Sequence, residues 1–132
     1  MKLIIAGGRN LHPDKNLING LISLYDLNEK VSDYVIGCAD GVDSSGYVYA
    51  KDLQLMCGTH QVNITEFEPD YKAYGKRAPL IRNSKMAVYA DALLLIWDGR
   101  SKGSADMKKK MMELKKPIYE VILRNYYGKN YE

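Results

Sequence analysis

The chain has 132 residues, of which 46% are hydrophobic and 27% charged, as is typical of one globular domain. Its net charge of +3 permits an anionic ligand without indicating nucleic acid, and its longest apolar run, Ala92–Trp97, is far too short to span a membrane. Cys38 and Cys57 lack metal-ligand spacing and no signal peptide is visible, so we expect a reduced, cytoplasmic setting.

Short apolar runs alternate along the chain with stretches of helical periodicity. We predict strands over residues 2–6, 33–37, 59–65, 91–97 and 117–123. We predict helices over residues 12–26, 42–56, 79–89 and 104–115, with Pro79 in a first turn and Ser104 as a cap. Residues 66–75 are expected to be irregular.

This alternation predicts a single doubly wound α/β domain over residues 1–123, followed by a tyrosine-rich tail over residues 124–132. The sheet is expected to have five parallel strands in the order 3-2-1-4-5. In that order the connections diverge between the first and fourth strands, and ligands of such folds bind there, beyond the carboxyl ends of the strands.

The turns after the first and fourth strands therefore become candidate binding elements. Glycines can present backbone N–H groups to an anion, and arginine can add a bidentate phosphate contact. A plain strand-to-helix turn is the alternative for the first, and a polar loop with a capping serine for the second. The candidates are Gly7, Gly8, Arg9 and Asn10 in the first turn, and Asp98, Gly99, Ser101, Lys102, Gly103 and Ser104 in the second.

Two further segments supply candidates. Gly37 and Gly41 follow the second strand and permit close backbone approach, and Asp43 could meet a ribose hydroxyl, although capping the next helix is the favoured role. Arg82 and Asn83 are expected in a first helical turn that faces the same crevice.

The remaining chemistry-bearing residues suggest no cofactor or metal. His12 and His60 have no companion ligands, and no Cys/His or Ser/His pair is placed for nucleophilic attack, so the catalytic residue is unassigned, with Asp98 in reserve. The lysines near residues 108–116 are interpreted as a solvated helix face, with a nucleic-acid patch as the alternative. The 11 tyrosines could support base stacking or contacts between copies of the chain, so a homo-oligomer is an open alternative.

Four ordered segments resemble the SLOG superfamily, most closely its YspA-like branch, which is related to the DprA/Smf Rossmann-like domain and the cytokinin-activating LOG proteins. They read IIAGGR at 4–9, GCADGVD at 37–43, DYKAYGKRAPLIRN at 70–83 and DALLLIWDGRSKGS at 91–104. The resemblance spans about residues 2–123. It implies a Rossmann-like fold and a pocket for nucleotides or nucleotide-derived ligands.

The departures from that family bear on activity. LOG enzymes pair an arginine, which Arg82 resembles, with the motif P-G-G-x-G-T-x-x-E. Gly103 and Ser104 resemble its G-T step, which puts Met107 at the glutamate position, and methionine cannot transfer a proton. Within the YspA-like branch the second turn commonly reads G-G-A-R-G-A-D, and here Cys38 and Asp40 replace its second glycine and its arginine.

These observations predict a binder of a nucleotide or nucleotide-derived, phosphate-bearing ligand that acts as a sensor, carrier or sequestering protein. An N-glycosidic hydrolase acting on nucleoside monophosphates in the same pocket is the alternative. A DNA-binding module by analogy with DprA is the third hypothesis, and it rests on likeness of fold alone.

Overall fold

The computed structural model describes residues 1–56 and 61–123. Residues 57–60 and 124–132, which include Cys57, His60 and the predicted tail, lie outside the described residues. The strands are β1 (Lys2–Gly7), β2 (Asp33–Ile36), β3 (Asn63–Glu66), β4 (Ala92–Trp97) and β5 (Ile118–Ile122). The helices are α1 (Lys15–Leu24), α2 (Val42–Met56), α3 (Tyr71–Tyr74), α4 (Ala78–Tyr89) and α5 (Lys102–Glu113), with a 3₁₀ turn over Gly75–Arg77.

All five strands are parallel and lie in the order β3-β2-β1-β4-β5, which confirms the predicted doubly wound sheet. β1 is central and pairs with both β2 and β4, with Leu3 opposite both Tyr34 and Ala92. Gly7 at the end of β1 lies opposite Ile96 of β4. The connections therefore diverge beyond the carboxyl ends of β1 and β4, which leaves a crevice between them.

Different helices cover the two faces of the sheet. Leu3 and Ile5 belong to a core cluster that also contains side chains of α1 and α2. Ile4 points to the opposite face and belongs to a cluster with Met86 of α4 and Met107 of α5. Because β1 and β4 are buried on both faces, their sequences are continuous apolar runs and do not alternate with polar residues.

Two helix starts differ from the predicted ones because a capping side chain fixes the first turn. α1 begins at Lys15, since Asp14 is extended and its carboxylate accepts the N–H of Leu17 at 2.8 Å. α5 begins at Lys102, since the hydroxyl of Ser101 accepts the N–H of Ser104 at 3.3 Å. Ser104 lies inside α5, and the prediction that it caps the helix is wrong.

The segment before α4 is more regular than predicted. The carboxylate of Asp70 accepts the N–H of Ala73 at 3.1 Å and caps the short helix α3, which occupies part of the stretch expected to be irregular. Because α4 begins at Ala78, Arg82 and Asn83 lie in its second turn and not in the first.

No helix within residues 1–56 and 61–123 is long and apolar enough to cross a membrane. Within the same ranges, no three His, Cys, Asp or Glu side chains form a group that could hold a metal ion.

Candidate functional site

A cavity of about 450 Å³ opens beyond the carboxyl ends of β1 and β4. The turns after these two strands form its walls, together with side chains from α2 and α4. The sequence-predicted residues that line it are Gly7, Gly8, Arg9, Asn10, Asp43, Arg82, Asn83, Asp98, Ser101, Lys102, Gly103 and Ser104. The predicted residues Gly37, Gly41 and Gly99 are outside the lining.

Four lining residues were not predicted from the sequence to bind a ligand: Ala6, Leu11, Ala39 and Pro79. Three of them lie within the segments 4–9, 37–43 and 70–83, and Leu11 directly follows Asn10. Position within or next to a motif was therefore the available signal. Pro79 also precedes Asn83 by one helical turn and shares its face of α4.

Gly7, the last residue of β1, and Gly8, which follows it, make contacts within the protein that hold the neighbouring turns in place. The N–H of Gly8 donates to the carbonyl oxygen of Ile96 at 3.0 Å, and the carbonyl oxygen of Gly8 accepts the N–H of Val42 at 3.1 Å. The N–H of Gly7 lies near the Asp43 carboxylate and acts to lower the pKa of Asp43. The N–H and the carbonyl oxygen of Gly8 are thus both used within the protein, and a ligand meets mainly the side chains of the first turn.

Gly41 brings the turn after β2 against the turn after β1. Its backbone has a φ of 78°, and a Cβ there would collide with the carbonyl oxygen of Gly8. Gly41 thus supports the cavity without lining it, because it lets the turns after β1 and β2 approach to a distance that only glycine allows.

A buried arginine joins the turn after β2 to α4. The Nη1 of Arg82 donates to the carbonyl oxygen of Gly37, and its Nε donates to the Asn83 side-chain oxygen at 3.0 Å. Gly37 is hemmed in by this guanidinium, since a Cβ there would lie 2.9 Å from both Arg82 Nη1 and Asp43 Oδ2. Arg82 is 8% exposed, so its place in the cavity wall is set by these protein contacts.

Asp43 is a buried carboxylate beside that arginine. It is 5% exposed, and its Oδ2 accepts the N–H of Ala39 at 3.1 Å. Burial raises the pKa of Asp43, while the N–H bonds from Ala39 and Gly7 and the charges of Arg82 and Arg9 act in the opposite direction. Its bond to Ala39 braces the turn before α2, in place of the expected cap on the helix itself.

Neither Met107, at the position that resembles the glutamate of the LOG motif, nor its neighbour Asp106 brings a free acid into the cavity. Met107 lines the cavity and is 2% exposed. Asp106 has other partners: its Oδ2 accepts from Asn83 Nδ2 at 3.1 Å and from Lys110 Nζ at 2.7 Å. Asn83 also donates to the carbonyl oxygen of Gly103 at 3.3 Å, which ties α4 to the start of α5.

Asp98, the reserve catalytic candidate, organises the turn after β4. Its Oδ1 accepts the N–H groups of Arg100 at 2.8 Å and Ser101 at 3.1 Å. These bonds lower the pKa of Asp98 below its usual value, and the bond from Arg100 has the largest effect. A carboxyl group held ionised in this way is suited to fixing a loop and is a poor proton donor.

The amino terminus of α5 faces the cavity with Ser101, Lys102, Gly103 and Ser104. The first N–H groups of a helix have no acceptor within the helix, and its dipole favours an anion there. Ser104 is 5% exposed, and its hydroxyl oxygen is buried without a hydrogen-bond partner in the described part of the chain. Native proteins rarely leave a buried polar atom unpaired, so this hydroxyl calls for an explanation.

Comparisons of the chain with protein-family models, with curated proteins and with solved structures returned no match.

Proposed function

We propose that the protein binds a nucleotide or nucleotide-derived small molecule whose phosphate lies at the amino terminus of α5. The observation that carries the proposal is the unpartnered, buried hydroxyl of Ser104, a residue that lines the cavity. A hydroxyl can donate to a phosphate oxygen, and helix N–H groups beside it supply further donors. Two independent features of one helix start therefore favour an anion at the same place.

The charges around the cavity agree with this proposal. Arg9 and Lys102 are exposed lining residues, and Arg82 is a buried one. Against these three cations stand the carboxylates of Asp43 and Asp98, both already bonded to backbone N–H groups. The lining thus carries a net charge of at least +1, because protonation of Asp43 would remove one of its two negative charges, and the helix dipole adds to it.

The resemblance to the SLOG superfamily supplies the ligand class, since many members bind nucleotides or their derivatives. A role as sensor, carrier or sequestering protein is favoured over the N-glycosidic hydrolase. Hydrolysis requires an acid near the leaving base or a carboxylate beside the developing positive charge. Here Met107 occupies the glutamate position, and Asp98 and Asp106 are held by other groups.

The proposal is tested by titrating inorganic phosphate, ribose 5-phosphate and nucleoside monophosphates into the wild-type protein and into Ser104→Ala. Because alanine removes an unpaired buried hydroxyl, we expect the variant to be as stable as the wild type or more stable by about 1 kcal/mol. We expect its phosphate affinity to fall by about tenfold, as when a hydrogen bond to a charged group is lost.

Ser84→Ala is the matched control, since Ser84 is an exposed residue of α4 whose hydroxyl donates to the carbonyl oxygen of Leu80. It should leave phosphate affinity unchanged. Equal affinities of wild type and Ser104→Ala would contradict the phosphate position. Chromatography of each bound compound after long incubation separates the two activities: recovery unchanged supports a binder, and release of free base supports the hydrolase.

A further inference from the structure

A second compartment adjoins the phosphate cavity. It has a volume of about 480 Å³ and lies at the amino end of α1, against the end of β5. Its lining shares Asn10 and Leu11 with the first cavity, so the turn after β1 forms part of the wall of both compartments. The other lining residues are His12, Pro13, Asp14, Leu17 and Leu123.

The two compartments differ in chemistry. Three half-buried leucines, Leu11, Leu17 and Leu123, pack against the core on the α1 side of the sheet and present apolar surface to the second one. Among the described residues that line it, none is lysine or arginine. A phosphate therefore has no countercharge there, whereas an uncharged ring gains from burial against leucine and proline.

Polar groups at the rim are few. Asp14 already accepts the N–H of Leu17 through Oδ1, and it caps α1. Asn10 and His12 are exposed, so an amide and an imidazole are available to pair with ring nitrogens or carbonyl oxygens. An apolar wall with a small number of polar groups is the usual composition of a site for a small organic ligand.

We infer that this compartment holds the uncharged ring of the same ligand whose phosphate lies at the start of α5, and that the ring is a nucleobase or a flat heterocycle of similar polarity. The inference rests on the proposed function. It gives the ligand a direction: from the amino terminus of α5, past the turn after β1, to the amino end of α1. Asn10 and Leu11 then contact the part of the ligand that joins its two ends.

The test compares ligands with and without a ring. Inorganic phosphate, ribose 5-phosphate and the monophosphates AMP, GMP, CMP and UMP are titrated into the wild-type protein by calorimetry. We expect at least one of the four nucleotides to bind about tenfold more tightly than ribose 5-phosphate, from burial of the ring. In Leu17→Ser, this preference should shrink to about twofold, while the affinity for inorganic phosphate stays the same.

Leu24→Ser is the matched control, because Leu24 lies on the same helix and is 71% exposed. It should retain the full preference. Leu123→Ser, at a lining residue that directly follows β5, is a second variant that tests the inference if Leu17→Ser does not fold.

The outcomes separate this inference from the proposed function. Equal affinities for ribose 5-phosphate and all four nucleotides, or a preference unchanged in a folded Leu17→Ser and in Leu123→Ser, would overturn the inference alone. Failure of every phosphate compound to bind would overturn both.

Discussion

No side chain fits between Gly7 and the carbonyl oxygen of Ile96, where β1 and β4 reach the candidate site. A Cβ built on Gly7 would overlap that oxygen, which also accepts the N–H of Gly8 at 3.0 Å. The close approach of these two strand ends sets the spacing between the turns that follow them. The geometry of the cavity therefore depends on a glycine whose role lies in the scaffold.

Gly7→Ala should accordingly destabilise the protein strongly. The added methyl group meets backbone, which cannot move aside as a flexible side chain can. We therefore expect the free energy of unfolding to fall by about 3 kcal/mol. Gly20→Ala is the control: Gly20 lies in α1, where a Cβ meets nothing, and alanine should stabilise by about 0.5–1 kcal/mol. Urea denaturation measures both, and similar values for the two variants would show the strand ends to be adaptable.

The carboxyl group of Asp43 should make stability depend on pH. Its ordinary pKa is 3.8, and burial raises this pKa in the folded protein. Between the unfolded and folded pKa values, the folded protein keeps a proton that the unfolded chain has released, so stability falls as pH rises. We expect the unfolding free energy of the wild type, relative to Asp43→Asn, to decrease as the pH rises above the ordinary pKa of 3.8. Denaturation curves at several pH values test this, and a constant difference would contradict it.

Lys116 closes the carboxyl end of α4. Its Nζ donates to the carbonyl oxygens of Ala87 at 2.7 Å, Val88 at 3.0 Å and Ala90 at 2.6 Å. Lys116→Met nearly keeps the length of the side chain and removes its charge. We expect this variant to lower the free energy of unfolding by about 1–2 kcal/mol. Lys109→Met, on the exposed face of α5, should change the unfolding free energy by less than about 0.5 kcal/mol. Equal effects of the two variants on thermal unfolding would show that the cap contributes nothing.

Lys115 follows α5 in a left-handed conformation. Its φ is 58°, while its N–H and that of Lys116 donate to Met112 and Met111 at 3.0 Å, as in a Schellman motif. Glycine adopts this φ without steric cost, so Lys115→Gly should stabilise the protein by up to about 1 kcal/mol. A lower midpoint in chemical denaturation would show that the lysine side chain has a stabilising role that outweighs the strain.

Three of the six lysines between residues 102 and 116 are engaged within the protein. Lys108 pairs with Glu120 at 2.9 Å, Lys110 pairs with Asp106 at 2.7 Å, and Lys116 caps α4. Because half of these charges are engaged and the net charge of the chain is only +3, we expect no measurable binding of single- or double-stranded DNA at about 150 mM salt. Anisotropy titrations with labelled oligonucleotides test this, and tight binding that weakens steeply with salt would favour the DprA-like alternative.

Local sequence patterns were sufficient for the fold. The apolar run Ala92–Trp97 predicted a strand buried on both faces, and strands alternating with helices predicted the parallel sheet and its order. Such features are readable because burial and helical periodicity act on neighbouring residues. The order 3-2-1-4-5 in turn predicted which turns lie side by side, and hence the position of the cavity.

Only the tertiary structure decided what the individual polar groups do. The sequence predicted Ser104 as the cap of α5. In the structure Ser101 is the cap, because its backbone is extended before the first helical residue, and the hydroxyl of Ser104 is buried and unpaired. The carboxylate of Asp106 accepts a hydrogen bond from Asn83, 23 residues away, and the N–H of Gly8 donates to the carbonyl oxygen of Ile96. Periodicity and propensity are local properties, whereas a hydrogen bond between distant segments exists only once packing has brought them together.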